Sequence, residues 1–448
     1  MGMSDASTIY ALSSGTGRAG VAVIRVSGPA VPVALSLMAA PAVRDRSAGL
    51  RRIVHPVTRA ALDQAVVLFF AGPRSETGED VAEFQVHGGR AVVRAVLDAL
   101  GQIPGCRLAE PGEFARRAFE NGKIDLPEVE GLADLIDAET EAQRRQALLQ
   151  AGGVLSTLYE GWRAQLIEIA ALTEAAIDFS DEGDVSSRSA EMARQRANPL
   201  LVAISNHLND GHRGEILRDG FRVALLGPPN AGKSSLLNAL ARRDAAIVSD
   251  QAGTTRDVIE VRLDLGGLPV IVSDTAGVRE AAGAIEQEGI RRSLAAARAA
   301  NLVLWLTESG ADPAPETISR ETSLSVRTKV DLGLSPASRS FGADAEVALS
   351  ISAKTGAGLD DLVRLIAGRA AQAVGVDQVQ PALTQARHRQ HLETAAASLA
   401  TFLEADPVAL ELRAEDVRLA AHAIGRITGR VDVEDVLDQI FSRFCIGK

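Results

Sequence analysis

Residues 227–234 read Gly-Pro-Pro-Asn-Ala-Gly-Lys-Ser, and the apolar run Phe221-Arg-Val-Ala-Leu-Leu226 comes directly before them. A helix-like segment, Ser235-Leu-Leu-Asn-Ala-Leu240, follows, so strand, loop and helix occur in the order that the pattern Gly-x4-Gly-Lys-Ser requires. Glycines let the backbone wrap around a phosphate, and N–H groups at the helix N-terminus donate to its negative charge. This stretch predicts a parallel α/β domain that binds a nucleotide.

The polar positions of this loop have expected roles at the phosphates. The Lys233 ammonium would reach the β- and γ-phosphates, and the Ser234 hydroxyl would hold Mg2+. Further nucleotide contacts are expected at Asn230, Ala231, Gly232 and Ser235. The predicted ligand is therefore a nucleoside triphosphate with its magnesium ion.

Two later stretches predict the remaining metal and phosphate contacts. Asp274-Thr-Ala-Gly277 follows the apolar run from Leu268 to Val272, so Asp274 can bind Mg2+ through water at a strand end. The Gly277 backbone would sense the γ-phosphate, and the residues between them are Thr275 and Ala276. Thr254-Thr-Arg-Asp257 lies in a predicted loop, where the Thr255 hydroxyl can complete the metal shell. Each tetrapeptide alone could be an ordinary turn, but their order and spacing disfavour an ATP-binding relative.

The stretch Thr328-Lys-Val-Asp331 predicts guanine as the base. Asp331 would accept two hydrogen bonds from the guanine edge, and Ser352-Ala-Lys354 would close over the base. Base contacts are therefore expected at Thr328, Lys329, Asp331, Ser352, Ala353 and Lys354. Thr328 stands where asparagine is usual, and the lost amide should weaken base binding by ~0.5–1.5 kcal/mol. Asp331 should still select guanine over adenine, so the domain is predicted to be a GTPase.

The residue expected to orient the attacking water is missing from its usual place. Val278 follows Gly277, where Ras-like proteins carry glutamine. Glu286 and Glu288 lie in the next segment, and either could act as the base or anchor the water. Both could equally belong to a solvated helical face, so the sequence leaves this assignment open.

Composition and length limit the other possibilities. The 448 residues are 46% apolar and 23% charged, which is typical of a globular chain with about three domains. The net charge is −11, so any contact with RNA would need a local basic patch. Cys106 and Cys445 lie far apart without an export signal before them, which predicts a reducing cytoplasm. No run approaches the ~18 apolar residues of a spanning helix, so no membrane association is predicted.

Patterning along the chain predicts three domains. Residues 1–120 alternate β-rich and helical runs, which indicates an α+β domain, and residues 121–217 have helical-bundle composition. Residues 218–378 alternate strands and helices around the nucleotide motifs, and residues 379–448 are helical again. We therefore expect one discontinuous α-helical domain with the α/β P-loop G domain inserted into it.

These residues resemble the MnmE (TrmE) family of tRNA modification GTPases over the full chain. Further signatures of that family are Gly15-Thr-Gly17, Arg25-Val-Ser-Gly28, Gly78-Glu-Asp-Val-Ala-Glu83, Gly122-Lys-Ile-Asp-Leu126 and the terminal Cys445-Ile-Gly-Lys448. The resemblance implies an N-terminal domain that binds tetrahydrofolate and forms a homodimer, a discontinuous helical domain and an inserted G domain. These match the boundaries expected from patterning.

The resemblance also implies the activity. With MnmG, an FAD-dependent partner in a heterotetramer, the family adds an aminomethyl-type (carboxymethylaminomethyl) group to carbon 5 of wobble uridine in certain tRNAs. The reaction uses GTP hydrolysis and 5,10-methylene- or 5-formyl-tetrahydrofolate. By resemblance, the folate contacts would be Arg25, Glu83, Lys123 and Lys448. Charged groups suit folate's carboxylates and pterin N–H donors, although without the resemblance ordinary surface charge would be the preferred explanation at each position.

Family resemblance further implies that K+ replaces an arginine finger. The potassium site would comprise Asn230 and the loop of residues 249–255, with K+ contacts from Ser249, Gln251 and Thr254 and a nucleotide contact from Gly253. Glu286 matches the family's catalytic acid, and Cys445 matches its tail cysteine, for which catalytic and inert roles stay open. His388 and His391 lack a third ligand and are predicted to lie on a helix surface rather than bind a metal.

A regulatory GTPase similar to Era, with no covalent role on RNA, is the rival interpretation. The G domain alone cannot separate the two, because both need the same nucleotide motifs. A folate-dependent aminomethyltransferase with an incidental nucleotide module would leave the intact nucleotide motifs unexplained. Discrimination therefore depends on the N-terminal domain and the terminal Cys-Ile-Gly-Lys, and on whether the protein binds folate.

Overall fold

The computed structural model describes residues 7–41, 43–179, 183–243, 245–247, 259–274, 295–308, 319, 322–333, 347–375, 382–404, 410–431, 434–442, 444, 446 and 447. The chain divides into two compact units. The first comprises Met1–Ala133, Ala151–Gly161 and Ile424–Lys448, and the second comprises Asp134–Gln150 and Trp162–Ala423. Both units therefore draw on separate stretches of sequence.

A six-stranded sheet of order β3-β4-β5-β2-β1-β6 organises the first unit. Its strands are Thr8–Leu12 (β1), Ala22–Ser27 (β2), Gly49–Val54 (β3), Ala61–Phe70 (β4), Val81–Val86 (β5) and Cys106–Leu108 (β6). Neighbouring strands are antiparallel except β1 and β6. Apolar residues alternate along the strands, so one face of the sheet forms a core with helices Val31–Met38 and Arg90–Leu100.

The end of the chain also packs in this first unit. Helices Glu113–Glu120 and Glu434–Phe441 share a buried apolar cluster, in which the ring centroids of Phe119 and Phe441 are 6.5 Å apart. Gly112 has a φ of 69°, and a Cβ there would lie 2.4 Å from the carbonyl oxygen of Phe441. Only glycine therefore allows the terminal helix to approach this closely.

Helices make up most of the described residues in two further stretches, 126–219 and 386–428. Their bounds are Leu126–Asp137, Glu141–Ala151, Val154–Asp178, Gly183–Leu208, Arg213–Asp219, Ala386–Glu404 and Leu410–Thr428. Within the second unit, Arg389 of Ala386–Glu404 pairs with Glu215 of Arg213–Asp219 and with Asp210, which comes before that helix, at 2.7 Å in each case. Among the described residues, no helix combines the length and apolar character needed to cross a bilayer.

The predicted surface position of His388 is wrong, because its side chain is fully buried. Buried residues recur at helical spacing along Ala386–Glu404, at His388, Leu392, Ala395, Leu399 and Phe402. The apolar residues at this period turn one face of the helix inward, and His388 shares that face. His391 is half-buried, and no cluster of metal-ligating side chains occurs in the part of the chain that the structure describes.

A second six-stranded sheet, of order β12-β11-β10-β7-β9-β8, carries the nucleotide motifs. Its strands are Phe221–Leu226 (β7), Ile259–Asp264 (β8), Pro269–Asp274 (β9), Leu302–Thr307 (β10), Ser323–Arg327 (β11) and Val347–Ser350 (β12). All neighbours are parallel except the β8–β9 hairpin. Helices Lys233–Ala241 and Leu359–Val374 cover its core.

Parallel strands bring their carboxyl ends to one edge of this sheet, where ligands of α/β proteins bind. The predicted fold class is confirmed: an N-terminal α+β domain, a helical domain and an α/β P-loop domain are present. The residue boundaries proposed for the domains stay a prediction.

Candidate functional site

The loop after β7 has the backbone shape that a phosphate needs. Gly227 has a φ of 146°, and a Cβ there would lie 2.2 Å from the carbonyl oxygen of Leu306, so no other residue fits. Asn230 and Gly232 also adopt positive φ, at 64° and 89°. The Lys233 ammonium donates to the carbonyl oxygens of Gly227 and Pro228, both at 2.9 Å. The predicted loop residues therefore form one curved stretch of backbone.

Two predicted Mg2+ contacts meet at the end of β7 and β9. The Ser234 hydroxyl donates a hydrogen bond of 2.6 Å to Oδ2 of Asp274, whose side chain is fully buried. Leu225 and Asp274 are paired across the two parallel strands, so the sheet register brings the carboxylate to the loop. A hydroxyl and a carboxylate oxygen at adjacent positions are hard oxygen donors, which fits the preference of Mg2+.

Burial lowers the pKa of Lys233 from its ordinary value, and the nearby Asp274 carboxylate opposes that shift. Desolvation disfavours a charge, so the ammonium is least costly when an anion lies beside it. A phosphate in the loop would provide further negative charge. The electrostatics of this position therefore favour an anionic ligand.

The predicted base contacts gather around one cavity of about 210 Å³. It is lined by Gly232, Ser235, Leu236, Thr328, Lys329, Asp331, Leu332, Ile351, Ala353 and Lys354. The buried Ser352 hydroxyl donates to Oδ1 of Asp331 at 2.6 Å and so fixes the carboxylate. That bond lowers the pKa of Asp331, and the lysines Lys354 and Lys329 add to the effect. An ionised carboxylate only accepts hydrogen bonds, and the edge of guanine offers two N–H donors to it.

Thr328 has a contact that its sequence position alone does not indicate. Its hydroxyl donates to the carbonyl oxygen of Ala231 at 2.8 Å, and its backbone N–H donates to the carbonyl oxygen of Thr307 at 2.8 Å. Thr328 is buried, so both bonds form away from solvent. The residue that begins the base-binding stretch therefore ties it directly to the phosphate-binding loop.

Several predicted site residues lie outside the described residues. In the G domain these are Ser249, Gln251, Gly253, Thr254, Thr255, Thr275, Ala276, Gly277 and Glu286, and at the terminus they are Cys445 and Lys448. Their predicted roles stay predictions.

A second group of predicted residues lies on the N-terminal sheet. Arg25 and Glu83 are cross-strand partners on β2 and β5, and the guanidinium donates to Oε1 of Glu83 at 3.1 and 3.3 Å. Glu76, which the sequence did not single out, pairs with the same guanidinium at 2.8 Å. The Phe114 ring, also not predicted, has its centroid 5.8 Å from the Arg25 guanidinium carbon. Arg25 is thus held by two carboxylates and an aromatic ring.

Lys123 meets this group through the loop of residues 72–80. Its ammonium donates to the carbonyl oxygen of Pro73 at 2.7 Å, and Glu76 of the same loop pairs with Arg25. The terminal segment approaches from another side: Ser13 donates to the carbonyl oxygen of Gly447 at 2.7 Å, and Ile446 pairs with Pro111. Of the four predicted folate contacts, Arg25 and Glu83 thus lie on the paired strands β2 and β5, and Lys123 contacts the loop of residues 72–80. Gly447, which precedes the fourth contact Lys448, lies at the end of β1.

Comparison with known proteins identifies the family to which the chain is similar. The family profile for the "GTP-binding protein TrmE N-terminus" matches residues 8–123, and that for the "MnmE helical domain" matches residues 126–445. A protein of Parvibaculum lavamentivorans named "tRNA modification GTPase MnmE" is 56% identical over 450 residues, covering 98% of this chain and 100% of its own length. One of the same name from Methylorubrum populi is 53% identical, covering 98% of each chain.

A third protein of that name, from Rhodospirillum rubrum, is 51% identical and covers 98% of this chain and 99% of its own length. The similarity extends from the N-terminal sheet through the nucleotide motifs to the terminal helices. The predicted family resemblance is therefore confirmed, and the chain belongs to the MnmE (TrmE) family.

Proposed function

We propose that this chain hydrolyses GTP and uses the hydrolysis to modify carbon 5 of the wobble uridine in certain tRNAs. The added group would be of the 5-aminomethyl type (carboxymethylaminomethyl), with tetrahydrofolate as the one-carbon donor. The link between Thr328 and Ala231 carries the nucleotide part, because it fixes the base contacts relative to the phosphate contacts. The tRNA part is supported by relatives at more than 50% identity that are named tRNA modification GTPases.

The chain's own residues would divide the work at the phosphates. Lys233 would donate to the β- and γ-phosphate oxygens, while Ser234 and Thr255 would hold Mg2+ with Asp274 behind it. Asn230, Ser249, Gln251 and Thr254 would hold K+. The two cations would neutralise charge that develops at the phosphates in the transition state. Glu286 would accept the proton of the attacking water, which is the role that Val278 cannot fill.

The N-terminal cluster would bind 5,10-methylene- or 5-formyl-tetrahydrofolate. Arg25, Lys123 and the terminal Lys448 carry the positive charge that the glutamyl carboxylates need, and Glu83 can accept from pterin N–H groups. The Glu76 side chain is 54% exposed and pairs with Arg25. A ligand carboxylate could therefore replace Glu76 at the Arg25 guanidinium, because the displaced Glu76 carboxylate would be solvated rather than buried and unpaired. Cys445, close in sequence to the docked Gly447, is proposed as a catalytic residue near this donor.

Three further parts of the proposal concern assembly and location. The chain would form a homodimer through residues 1–120 and associate with an MnmG-like FAD-dependent protein in a heterotetramer. Its substrate would be tRNA, and its location the cytoplasm.

Steady-state GTP hydrolysis in KCl and NaCl at matched ionic strength tests the nucleotide mechanism. K+ should stimulate turnover strongly and Na+ weakly, because only the larger ion is expected to suit the proposed site. Glu286→Ala should lower turnover by ~10²–10⁴ with nearly unchanged GTP affinity, which is the range for a lost general base. Glu288→Ala is the matched control and should remain active. Equal rates in the two salts, or a fully active Glu286→Ala, would refute the corresponding assignment.

A regulatory GTPase without covalent chemistry remains the second candidate. Both candidates need the nucleotide site, but only the first needs the cluster around Arg25. Titration calorimetry of the full-length protein with 5-formyl-tetrahydrofolate separates them. Binding favours the modifying enzyme, and no binding favours the regulatory role.

A further inference from the structure

The outer edge of the N-terminal sheet carries an unusual concentration of positive charge. Residues 44–59 contain five arginines and one aspartate, a net charge of +4 in a chain whose total is −11. The arginines are Arg44, Arg46, Arg51, Arg52 and Arg59, and we call this set the edge arginines. Their local charge is opposite to that of the whole protein, which repels polyanions elsewhere.

This segment follows the exposed edge of the sheet. The last strand in the sheet order is β3, and among the described strands it pairs only with β4. Arg52 lies opposite Gln64, and the backbone N–H of Arg46 donates to the carbonyl oxygen of Phe69. These two positions are five residue steps apart along β4, which is about 17 Å at ~3.4 Å per residue. The backbone positions of the edge arginines therefore extend along the sheet edge rather than around a compact pocket, with the consecutive Arg51 and Arg52 on opposite faces of β3.

The contacts of Arg46 and Arg59 orient their side chains without neutralising their charge. Arg46 donates to the carbonyl oxygen of Arg74 and lies over the Phe70 ring, with 5.9 Å between guanidinium carbon and centroid. Arg59 donates to the carbonyl oxygen of Leu37. Arg51 donates to the carbonyl oxygens of Pro41 and Leu50, at 2.8 and 2.9 Å. Carbonyl oxygens orient a guanidinium but carry no net charge.

The one acidic residue of the segment is engaged elsewhere. Asp45 accepts from the backbone N–H of Ala71 at 2.9 Å and pairs with Arg74 at 3.3 Å. Within the described part of the chain, none of Arg44, Arg46, Arg52 and Arg59 forms an ion pair with a carboxylate. By contrast, the exposed Arg144 and Arg145 both pair with Glu141, at 2.8 and 2.7 Å.

From these observations we infer that the edge arginines bind the phosphate backbone of RNA. An arginine guanidinium forms bidentate hydrogen bonds to phosphate, and a row of about 17 Å suits a linear polyanion better than a single anion. The inference rests on the proposed function for the kind of RNA, which would be tRNA. Because such contacts reach phosphates and not bases, this surface would position tRNA without reading its sequence.

Charged side chains on an edge strand also prevent pairing with another molecule's strand, which is a different use of the same residues. The two uses predict different results when charge is removed. Loss of edge protection would raise self-association, whereas loss of phosphate contacts would lower RNA affinity and its dependence on salt.

The test uses the full-length protein and an unmodified tRNA transcript, with binding followed by fluorescence anisotropy between 50 and 300 mM KCl. The variant is Arg44→Gln/Arg52→Gln, because neither side chain has a hydrogen bond or ion pair with another described residue that the fold would lose. The matched control is Arg144→Gln/Arg145→Gln, which removes the same charge from another exposed site. Arg44→Lys/Arg52→Lys keeps the charge.

Removing two phosphate contacts should make the slope of log K against log salt shallower by about 1.4–1.8 and weaken binding about tenfold or more near 0.1 M salt. The control and the lysine variant should keep the wild-type slope. An unchanged slope in Arg44→Gln/Arg52→Gln, an equal loss in the control, or no tRNA binding by the wild type would each overturn the inference.

The same preparations separate this inference from the proposed function. K+-stimulated GTP turnover should be equal in all variants, because the edge arginines and the P-loop lie in different units of the chain. An edge variant with wild-type RNA affinity and normal turnover would overturn the RNA surface alone. Absence of K+ stimulation in the wild type would overturn the hydrolysis mechanism and leave the RNA result to be judged by itself.

Discussion

The hydroxyl of Thr328 donates a buried hydrogen bond of 2.8 Å to the carbonyl oxygen of Ala231, 97 positions earlier in the chain. This bond joins the loop that faces the base to the loop that faces the phosphates. The usual asparagine is absent from position 328, yet the connection between the two loops is present. Selection of the base is then left to Asp331, whose carboxylate Ser352 holds in place.

Thr328→Ala should weaken GDP binding by about two- to twelvefold, because one neutral buried hydrogen bond contributes ~0.5–1.5 kcal/mol. Thr328→Ser keeps the hydroxyl and serves as the matched control, with affinity close to wild type. Fluorescent GDP analogues measure both. An alanine variant that binds as tightly as the serine variant would show that the link does not support the site.

Asp331→Asn should move base preference from guanine toward xanthine. The substitution replaces one acceptor by an N–H donor, which opposes the guanine amino group and suits the carbonyl oxygen that xanthine carries there. Hydrolysis of GTP and XTP by wild type and variant, compared as kcat/KM, measures the change. Retention of the wild-type preference for GTP would mean that Asp331 does not contact the base.

Arg25→Ala should weaken binding of 5-formyl-tetrahydrofolate by roughly ten- to a hundredfold, because a charge-assisted hydrogen bond is worth ~1.5–3 kcal/mol. GTP turnover should stay near wild type, since Arg25 and the P-loop belong to different units. Glu76→Gln removes the other partner of Arg25 without removing a predicted ligand contact, so it should retain folate binding. Unaltered affinity in Arg25→Ala would refute the folate assignment.

His207 should make the stability of the second unit depend on pH. Burial lowers the pKa of His207 to about 4, and its ring packs edge-on against Trp162 with 5.4 Å between centroids. The unfolded chain takes up the proton near pH 6.5, so lowering the pH from 6.5 to 4 favours unfolding, by up to roughly 3 kcal/mol. Above pH 6.5 this contribution is fully present.

Urea unfolding followed by tryptophan fluorescence at pH 7 and pH 5 measures this dependence. His207→Gln removes the titrating ring, so its free energy of unfolding should fall less between the two pH values than that of the wild type. Equal falls in both proteins would place the pH dependence elsewhere.

The features predicted best from sequence are those formed by neighbouring residues. Residues 227–234 lie between a strand and a helix that are adjacent in the chain, so the glycine positions alone predict the shape of the loop. Alternation along β2 likewise predicts which side faces the core.

Contacts between distant parts of the chain were not predictable in this way. Glu76 and Phe114 meet Arg25 only because a loop and a helix from separate stretches cover β2. Gly447 reaches Ser13 across 434 positions, and no local pattern carries that information. The lack of a third metal ligand predicts a helix-surface position for His388, whereas the apolar residues at helical spacing decide its burial.

GTP hydrolysis at the P-loop is expected to drive tRNA modification, and nucleoside analysis of tRNA tests this expectation most directly. Cells that lack the endogenous gene would receive the wild-type chain or Lys233→Ala, and the modified wobble uridine would be quantified by mass spectrometry. The wild type should restore the modified nucleoside, and Lys233→Ala, which removes the ammonium above Gly227 and Pro228, should not. Full restoration by Lys233→Ala would contradict the account.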